Sequence, residues 1–522
     1  MKLAILGGGG VRIPLFVRGV LSRPGTSFGE ICLFEPDQAR RETIGRLAVE
    51  VAAALGHRDV VRVTADVEEA FTGADFVFSA IRVGGDRGRL IDEEVALRRG
   101  LVGQETVGPG GCAMALRTIP VVLSYCETLA RCAPGAVLIN FTNPAGLITQ
   151  AVSLHAMVTA VGVCDTPSGA LDRLAEFLDA DPDSVAFSYG GLNHLGWISS
   201  FRVAGREHIG TLLERYEELQ RFDHRFAAFD PGFVRRLGAI PTEYDYYFYE
   251  PRRYVEAVAQ AGASRGADVL RLNSGLLADI AKAFDAGDVH DAWRAYVTQM
   301  GIRRASYMRT DMAGEGMPLA ASAAGGPAPD AGELGPTPGT GHDAGEPGPA
   351  PGIGHDAGEP GPAPGTGHDA REPGPAPGIG HDPGDLSPAG GAADARPGGY
   401  EGVALQVIAA LSGRKPGAVI VNTRNGGCLR FLDPDDVVEV PAHIDGGGVA
   451  PLAAGALPRS ARGLVTQVKE YEREVVSAAV TGDAERAALA LALHPLVPGV
   501  TVAREMMSEY RERHGPSLAY LH

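Results

Sequence analysis

Lys2-Leu3-Ala4-Ile5-Leu6-Gly7-Gly8-Gly9-Gly10 is the stretch that decides the fold. A short apolar run entering four glycines reads as a buried strand that ends in a tight turn. A helical pattern over 11–22 follows at once. Glycines at a strand-to-helix turn let the backbone approach a pyrophosphate, which then sits at the positive end of the helix. The GxGxxG spacing is imperfect: the third glycine falls on Arg12 counting from Gly7 and on Ile13 counting from Gly8. Glu35 closes the next apolar run, close to where an acidic residue accepts ribose hydroxyls, and such a residue favours NAD over NADP. Gly7, Gly8, Gly9, Gly10 and Glu35 are therefore the expected dinucleotide contacts, with a plain structural turn as the competing reading.

Strand patterns recur at 30–34, 60–64, 75–81, 136–140 and 160–163, with helical patterns at 37–55, 113–130 and 145–157. Alternation of this kind predicts an α/β fold with a parallel, Rossmann-like sheet and right-handed crossovers over residues 1–165. Residues 166–522 are expected to form a mostly helical α+β second domain for substrate, metal and oligomer contacts. It reads as helical over most of 168–312, with an aromatic centre at Tyr244–Tyr249. The pattern resumes with a helix at 402–412, a strand at 418–421, and helices at 462–496 and 499–513.

Between about 315 and 398 the composition changes to Gly, Pro, Ala, Asp, Glu and His, with a thirteen-residue repeat marked by His342, His355, His368 and His381. Such a segment has almost no large apolar side chains to offset the entropy of ordering, so disorder is expected. It holds eleven of the acidic and two of the basic residues between 319 and 397, so it carries −9 of the formal charge of −17. A net negative chain argues against nonspecific nucleic-acid or anionic-membrane binding. The six cysteines (32, 112, 126, 132, 164 and 428) lack framework spacing and read as reduced thiols. With Met1 running directly into a strand and no evident membrane span, a cytoplasmic location is expected.

Several polar motifs fall where open α/β sheets collect ligands. Ile81-Arg82-Val83-Gly84-Gly85 closes the fourth strand, and Gln104-Glu105-Thr106-Val107-Gly108-Pro109-Gly110-Gly111 reads as a polar loop before a helix. Asn140-Phe141-Thr142-Asn143-Pro144 ends another strand, and amides such as Asn143 suit sugar hydroxyls. Val163-Cys164-Asp165-Thr166-Pro167 and Gly191-Leu192-Asn193-His194 supply a thiol and an imidazole, which together suit a borderline divalent ion.

These runs, in this order, resemble glycoside hydrolase family 4, the NAD- and metal-dependent glycosidases. The likeness extends through Ile240-Pro241-Thr242-Glu243-Tyr244, Val421-Asn422-Thr423-Arg424-Asn425, Val438-Glu439-Val440-Pro441 and Ala479-Val480-Thr481-Gly482-Asp483, covering nearly all of the chain except the insert. The resemblance implies a redox-assisted elimination unlike two-carboxylate hydrolysis. The sugar is oxidised at C3 by NAD+, its C2 proton is removed by a tyrosine matching Tyr244, and the aglycone leaves. Water then adds and the hydride returns, so NAD is not consumed. A divalent metal, usually Mn2+, is held by the residues matching Cys164 and His194 and stabilises the enediolate. Asn143, Glu105 and Asn193 are the implied substrate contacts, and a homodimer or homotetramer and a lactate/malate dehydrogenase-like superfold are also implied.

Most members of this family act on 6-phosphorylated glucosides, and Arg82, Arg89 and Arg304 are the candidates for a phosphate contact. Members acting on α-linked substrates tend to carry Asp after the metal cysteine, where it serves as general acid, and this chain has Asp165. Its C-terminal half, from Asn422 to Leu496, is more similar to the 6-phospho-β-glucosidases. The expected activity is thus that of a 6-phospho-β-glucosidase, with a 6-phospho-α-glucosidase or an unphosphorylated α-glycosidase as the alternative. A lactate/malate-type dehydrogenase, consuming NAD stoichiometrically, and a sugar-phosphate sensor are the readings of other classes.

Overall fold

Six parallel strands, β1 (Lys2–Leu6), β2 (Glu30–Phe34), β3 (Val61–Thr64), β4 (Phe76–Ser79), β5 (Val137–Asn140) and β6 (Thr159–Gly162), lie in the order β3-β2-β1-β4-β5-β6. That is the doubly wound arrangement, with its switch point between β1 and β4. The computed structural model describes residues 1–23, 28–307, 400–455 and 457–522, which belong to one compact unit. The repeat at 315–398 lies outside the described residues.

The sheet does not end at residue 165. β11 (Gly417–Arg424) runs antiparallel to β6 through the pair Asn422–Gly162, and β12 (Val437–Asp445) pairs antiparallel with β11. A hairpin of β7 (Val185–Leu192) and β8 (Leu195–Val203) joins β12 through Glu439–Gly191. The short strands β9 (Arg206–Glu207), β10 (Ile240–Pro241) and β13 (Gly448–Pro451) pair at its margins. The stretch 168–312 is mostly helical, as expected, and this hairpin is the part of it that the local pattern did not show. Its partner strand lies some 250 residues further along the chain, where local periodicity cannot register it.

Alternation along β1 sends Leu3 and Ile5 to one core and Ala4 and Leu6 to the other, so the parallel sheet is covered on both faces. The helices Ile13–Leu21, Arg265–Asp285, Val289–Ala305 and Tyr400–Leu411 cover the first face. The helices Gly108–Cys132, Ala145–His155 and Arg459–Thr481 cover the second. By length and composition Gly108–Cys132 could cross a membrane, yet 61% of its most apolar window is buried inside the fold.

That helix begins five residues before the expected start, so Gly108-Pro109-Gly110-Gly111 is its first turn and not a loop. The glycines are needed there for packing, because a Cβ on Gly110 would lie 2.3 Å from the Gln104 carbonyl oxygen and one on Gly111 2.4 Å from that of Thr106. The helical pattern read over 462–496 is divided in two by Gly482, at φ 75°, and by Asp483, whose side chain accepts from Arg486 N.

Candidate active site

The glycine turn is built as its sequence suggests. Gly7 has φ 87°, Gly10 N donates to Gly7 O at 2.9 Å, and a Cβ on Gly8 would lie 2.6 Å from Leu33 Cβ. The helix that follows starts at Ile13, so Gly10 to Arg12 stay in the turn. Glu35 is buried and accepts Gly9 N on Oε2 at 3.0 Å and Asp37 N on Oε1 at 3.1 Å. Each oxygen keeps a lone pair for a ribose hydroxyl, so the turn and its carboxylate fit a dinucleotide. Gly8→Ala is expected to cost about 1–3 kcal/mol by overpacking, read as a lower urea midpoint with an unchanged slope.

Cys164 follows β6 and His194 lies in the two-residue turn between β7 and β8. The chain ends of these distant strands bring Cys164 Sγ and His194 Nε2 to 3.5 Å. His194 holds a left-handed φ of 63°, which for a non-glycine residue is kept only where its surroundings over-determine it. Burial pulls the imidazole down to about 4, so it is neutral near pH 7.

The ring's proton is placed by a chain of acceptors. Gln104 Oε1 accepts Thr106 N at 2.6 Å, Val107 N at 2.7 Å and the Thr106 hydroxyl at 2.8 Å. With its proton committed to Gln104, Thr106 Oγ1 accepts from His194 Nδ1 at 2.8 Å. That leaves Nε2 with a bare lone pair facing Sγ, the arrangement a cation needs. Burial first, then Glu439 and Asp165, push the Cys164 thiol well above its ordinary value. A cation binding there therefore displaces a proton. Among the described residues no cluster of three or more His, Cys, Asp and Glu is placed to hold a metal.

Tyr244 stacks on His194, with ring centroids 3.8 Å apart and planes 7° apart. Its hydroxyl lies 3.2 Å from that of Tyr307, which also reaches Glu243 Oε1 at 2.8 Å. Burial, opposed by Arg225, raises the Glu243 carboxyl to about 7. Neither Tyr307 nor Glu243 was singled out by the sequence as functional. Tyr307 stands at the edge of the low-complexity insert, where no pattern marks it.

Glu439 on β12 is a second group that sequence reasoning left as part of a motif. Its buried carboxylate accepts Tyr189 Oη at 2.6 Å and the side-chain amides of Asn193 and Asn422, each at 3.0 Å. It thereby ties the Asn193-His194 turn to the next two strands. Asp165 is half-buried beside Cys164 and stands before the helix Thr166–Phe177. Asn143 is half-buried after β5, in a cis peptide bond with Pro144.

Glu105 bridges Arg82 Nη1 and Arg89 Nη1, the latter at 3.1 Å, and these charges hold its carboxyl far below the usual range despite burial. Arg304 is exposed and takes no part in this group. Its neighbour Arg303 turns inward instead, because one residue of helix rotates a side chain by roughly 100°.

Residues 2–180 match the model of the family 4 glycosyl hydrolases and residues 189–497 match the model of the C-terminal domain of the same family. The chain belongs to glycosyl hydrolase family 4. It is a glycosidase. A probable 6-phospho-beta-glucosidase of Bacillus subtilis is 27% identical across 98% of this chain and 96% of its own. The 6-phospho-beta glucosidase of Thermotoga maritima, solved with manganese, NAD+ and glucose-6-phosphate, superposes with a TM-score of 0.70 at 22% identity, covering 98% of both chains. A 6-phospho-alpha-glucosidase from gut microorganisms, solved with NAD and Mn2+, gives 0.72 at 18% identity over 99% of this chain and 98% of that one. Identities this low carry the fold alone for the two solved neighbours.

Thr106→Val removes the acceptor for His194 Nδ1 and frees the ring to take the other tautomer. Metal affinity is expected to fall about 10–100-fold, measured by titrating Mn2+ into the full chain and following free ion by its spin resonance.

Proposed function

We propose that this chain is a 6-phospho-β-glucosidase that uses NAD+ and a divalent metal, Mn2+ above others, to cleave phosphorylated β-glucosides. The observation that carries the reading is the buried pair of Cys164 Sγ and neutral His194 Nε2 at 3.5 Å with Tyr244 stacked against the imidazole. A dehydrogenase of the lactate or malate type has no use for such a thiol–imidazole pair, and a sensor has no use for a base beside it. When bound, NAD+ supplies a hydride acceptor for C3 and the metal a Lewis acid for the sugar oxygens at C2 and C3.

The chain's own residues do the rest. Cys164 and His194 hold the metal, and the Gly7–Gly10 turn with Glu35 holds the dinucleotide. Tyr244 Oη takes the C2 proton, made acidic by a ketone at C3; burial first pushes the Tyr244 phenol well above its ordinary value, with the Tyr307 hydroxyl at 3.2 Å opposing it, so the charge of a bound cation would be needed to favour the phenolate. Asn143 and Asn193 orient the sugar hydroxyls, and Asp165 gives a proton to the departing oxygen. The working assembly is a homodimer or homotetramer in the cytoplasm.

A β-linked substrate is supported by the full-length relative from Bacillus subtilis. The α-linked alternative rests on the residue type at position 165, since family members acting on α-linked substrates tend to carry Asp after the metal cysteine. Four p-nitrophenyl glucosides, α and β, with and without a 6-phosphate, separate these readings. Cleavage of the phosphorylated β form alone is expected. Cleavage of the α form alone gives the case to Asp165, and cleavage only without phosphate removes the phosphate reading.

A further inference from the structure

A cavity of about 130 Å³ opens beside Asp165 and is lined by neither the metal pair, nor Tyr244, nor the glycine turn. One wall is the helix Thr166–Phe177. Asp165, Ser168, Asp172 and Ala175 follow one another at three- and four-residue spacing, which sets them on one face. Ten residues of helix advance roughly 15 Å, so the cavity leads away from Cys164 along that face. A second wall is the helix Tyr400–Leu411, through Val403 and Gln406. Phe187 on β7 and Ile420 on β11 complete it, although β12 lies between those strands in the sheet. Among the described residues β7 meets β12 through the one pair Glu439–Gly191, at the end next to His194, and its Val185–Phe187 end is not paired to β12.

The lining says what the cavity takes. Phe187, Val403 and Ile420 give it an apolar interior of the size of one ring, since about 150 Å³ holds a benzene molecule. Its charged lining residues, among those described, are Asp165 and Asp172. Arg225 touches the same helix, with its Nη1 3.4 Å from where a Cβ on Gly169 would lie, but Asp223 accepts its Nε at 3.0 Å and its Nη2 at 2.7 Å. An apolar ring therefore loses water-exposed surface on entering, whereas an anion meets two carboxylates and no lining cation to offset its desolvation. Asp165 joins the cavity to the reaction. It follows Cys164 in the chain, and the oxygen departing from C1 takes its proton there, so the group attached to that oxygen meets the cavity next.

We infer that this cavity receives the aglycone, and that it selects an uncharged leaving group carrying an apolar ring over an anionic one. The inference rests on the glucosidase reading above, with Asp165 beside the departing oxygen.

The full chain with Mn2+ and NAD+ is compared with Ala418→Trp, Gln406→Trp and Asp172→Lys on three 6-phospho-β-glucosides that share the sugar and differ in the leaving group: methyl, phenyl and 4-carboxyphenyl. Ala418 and Gln406 are exposed residues at the cavity, so an indole at either position fills it without disturbing the core. Each Trp variant is expected to lower the ratio of kcat/KM for phenyl to that for methyl by about 10–100-fold, as expected from burying one aromatic ring, chiefly through KM for phenyl. The parent should prefer phenyl to 4-carboxyphenyl, and Asp172→Lys should raise 4-carboxyphenyl relative to phenyl by about 2–5-fold. An unchanged phenyl-to-methyl ratio in the Trp variants would overturn the inference, and a parent that cleaves 4-carboxyphenyl as well as phenyl would overturn the charge selection. If one Trp variant fails to fold, the ratio in the other decides. A parent that cleaves only α-linked or only unphosphorylated glucosides removes the 6-phospho-β reading instead, and the same ratios are then read on the glucosides it does cleave.

Discussion

Cys164→Ser is expected to lower kcat/KM on the phosphorylated glucoside by about a thousandfold or more, with NAD+ affinity unchanged. A metal acting as Lewis acid on a developing enediolate is worth several kcal/mol, and each 1.36 kcal/mol is a factor of ten. Serine has nearly the shape of cysteine, so β6 and its neighbours keep their packing. Its hydroxyl does not ionise near pH 7 and is a poor partner for a borderline cation. The proposed NAD+ cradle, Gly7–Gly10 with Glu35, is a separate structure on the other side of the switch point. Spin resonance of free Mn2+ and fluorescence quenching by NAD+ read the two sites independently. Loss of Mn2+ binding together with activity is the expected result, and a fully active Cys164→Ser protein would remove Cys164 from the metal site.

Tyr244→Phe should cost about 10²–10⁴ in kcat, the usual contribution of a positioned base. The phenyl ring keeps its stack on His194, so the metal pair should still load. The base is specific to one step, and isotope exchange isolates that step. In D2O the parent should exchange the C2 proton of the sugar product, and Tyr244→Phe should not. Hydride exchange at C3 should survive in both. Retained C2 exchange in the variant would pass the role of base to another group, with Tyr307 and Glu243 next in line.

The parallel half of the sheet was legible because its evidence is local. Each strand is a short apolar run, and each is separated by helical spacing from the next. The β7–β8 hairpin was not, since the strand that makes it necessary, β12, follows only after the insert. The same limit applies to the site. Cys164, His194 and Tyr244 came from motifs matched in order, but nothing in their spacing shows that their side chains meet. Glu439 stood inside a recognised run, Val438-Glu439-Val440-Pro441, without a role until the fold placed it against Asn193. Gln104 and Thr106 read as loop residues, and their part in setting the imidazole tautomer exists only through contacts 88 residues apart. Arg303 and Arg304 are adjacent in sequence, and only the phase of the helix separates the inward residue from the exposed one.

If redox chemistry is used and then reversed within one turnover, NAD+ acts as a catalyst and is not consumed. Product formed per NAD+ tests it most directly. The full chain is stripped of nucleotide, supplied with Mn2+, reductant and a limiting quantity of NAD+, and given an excess of p-nitrophenyl 6-phospho-β-glucoside. Many p-nitrophenolate molecules should be released per NAD+, with no net NADH formed and no release when either Mn2+ or NAD+ is withheld. Release without NAD+, or one NADH accumulated per bond cleaved, would contradict it.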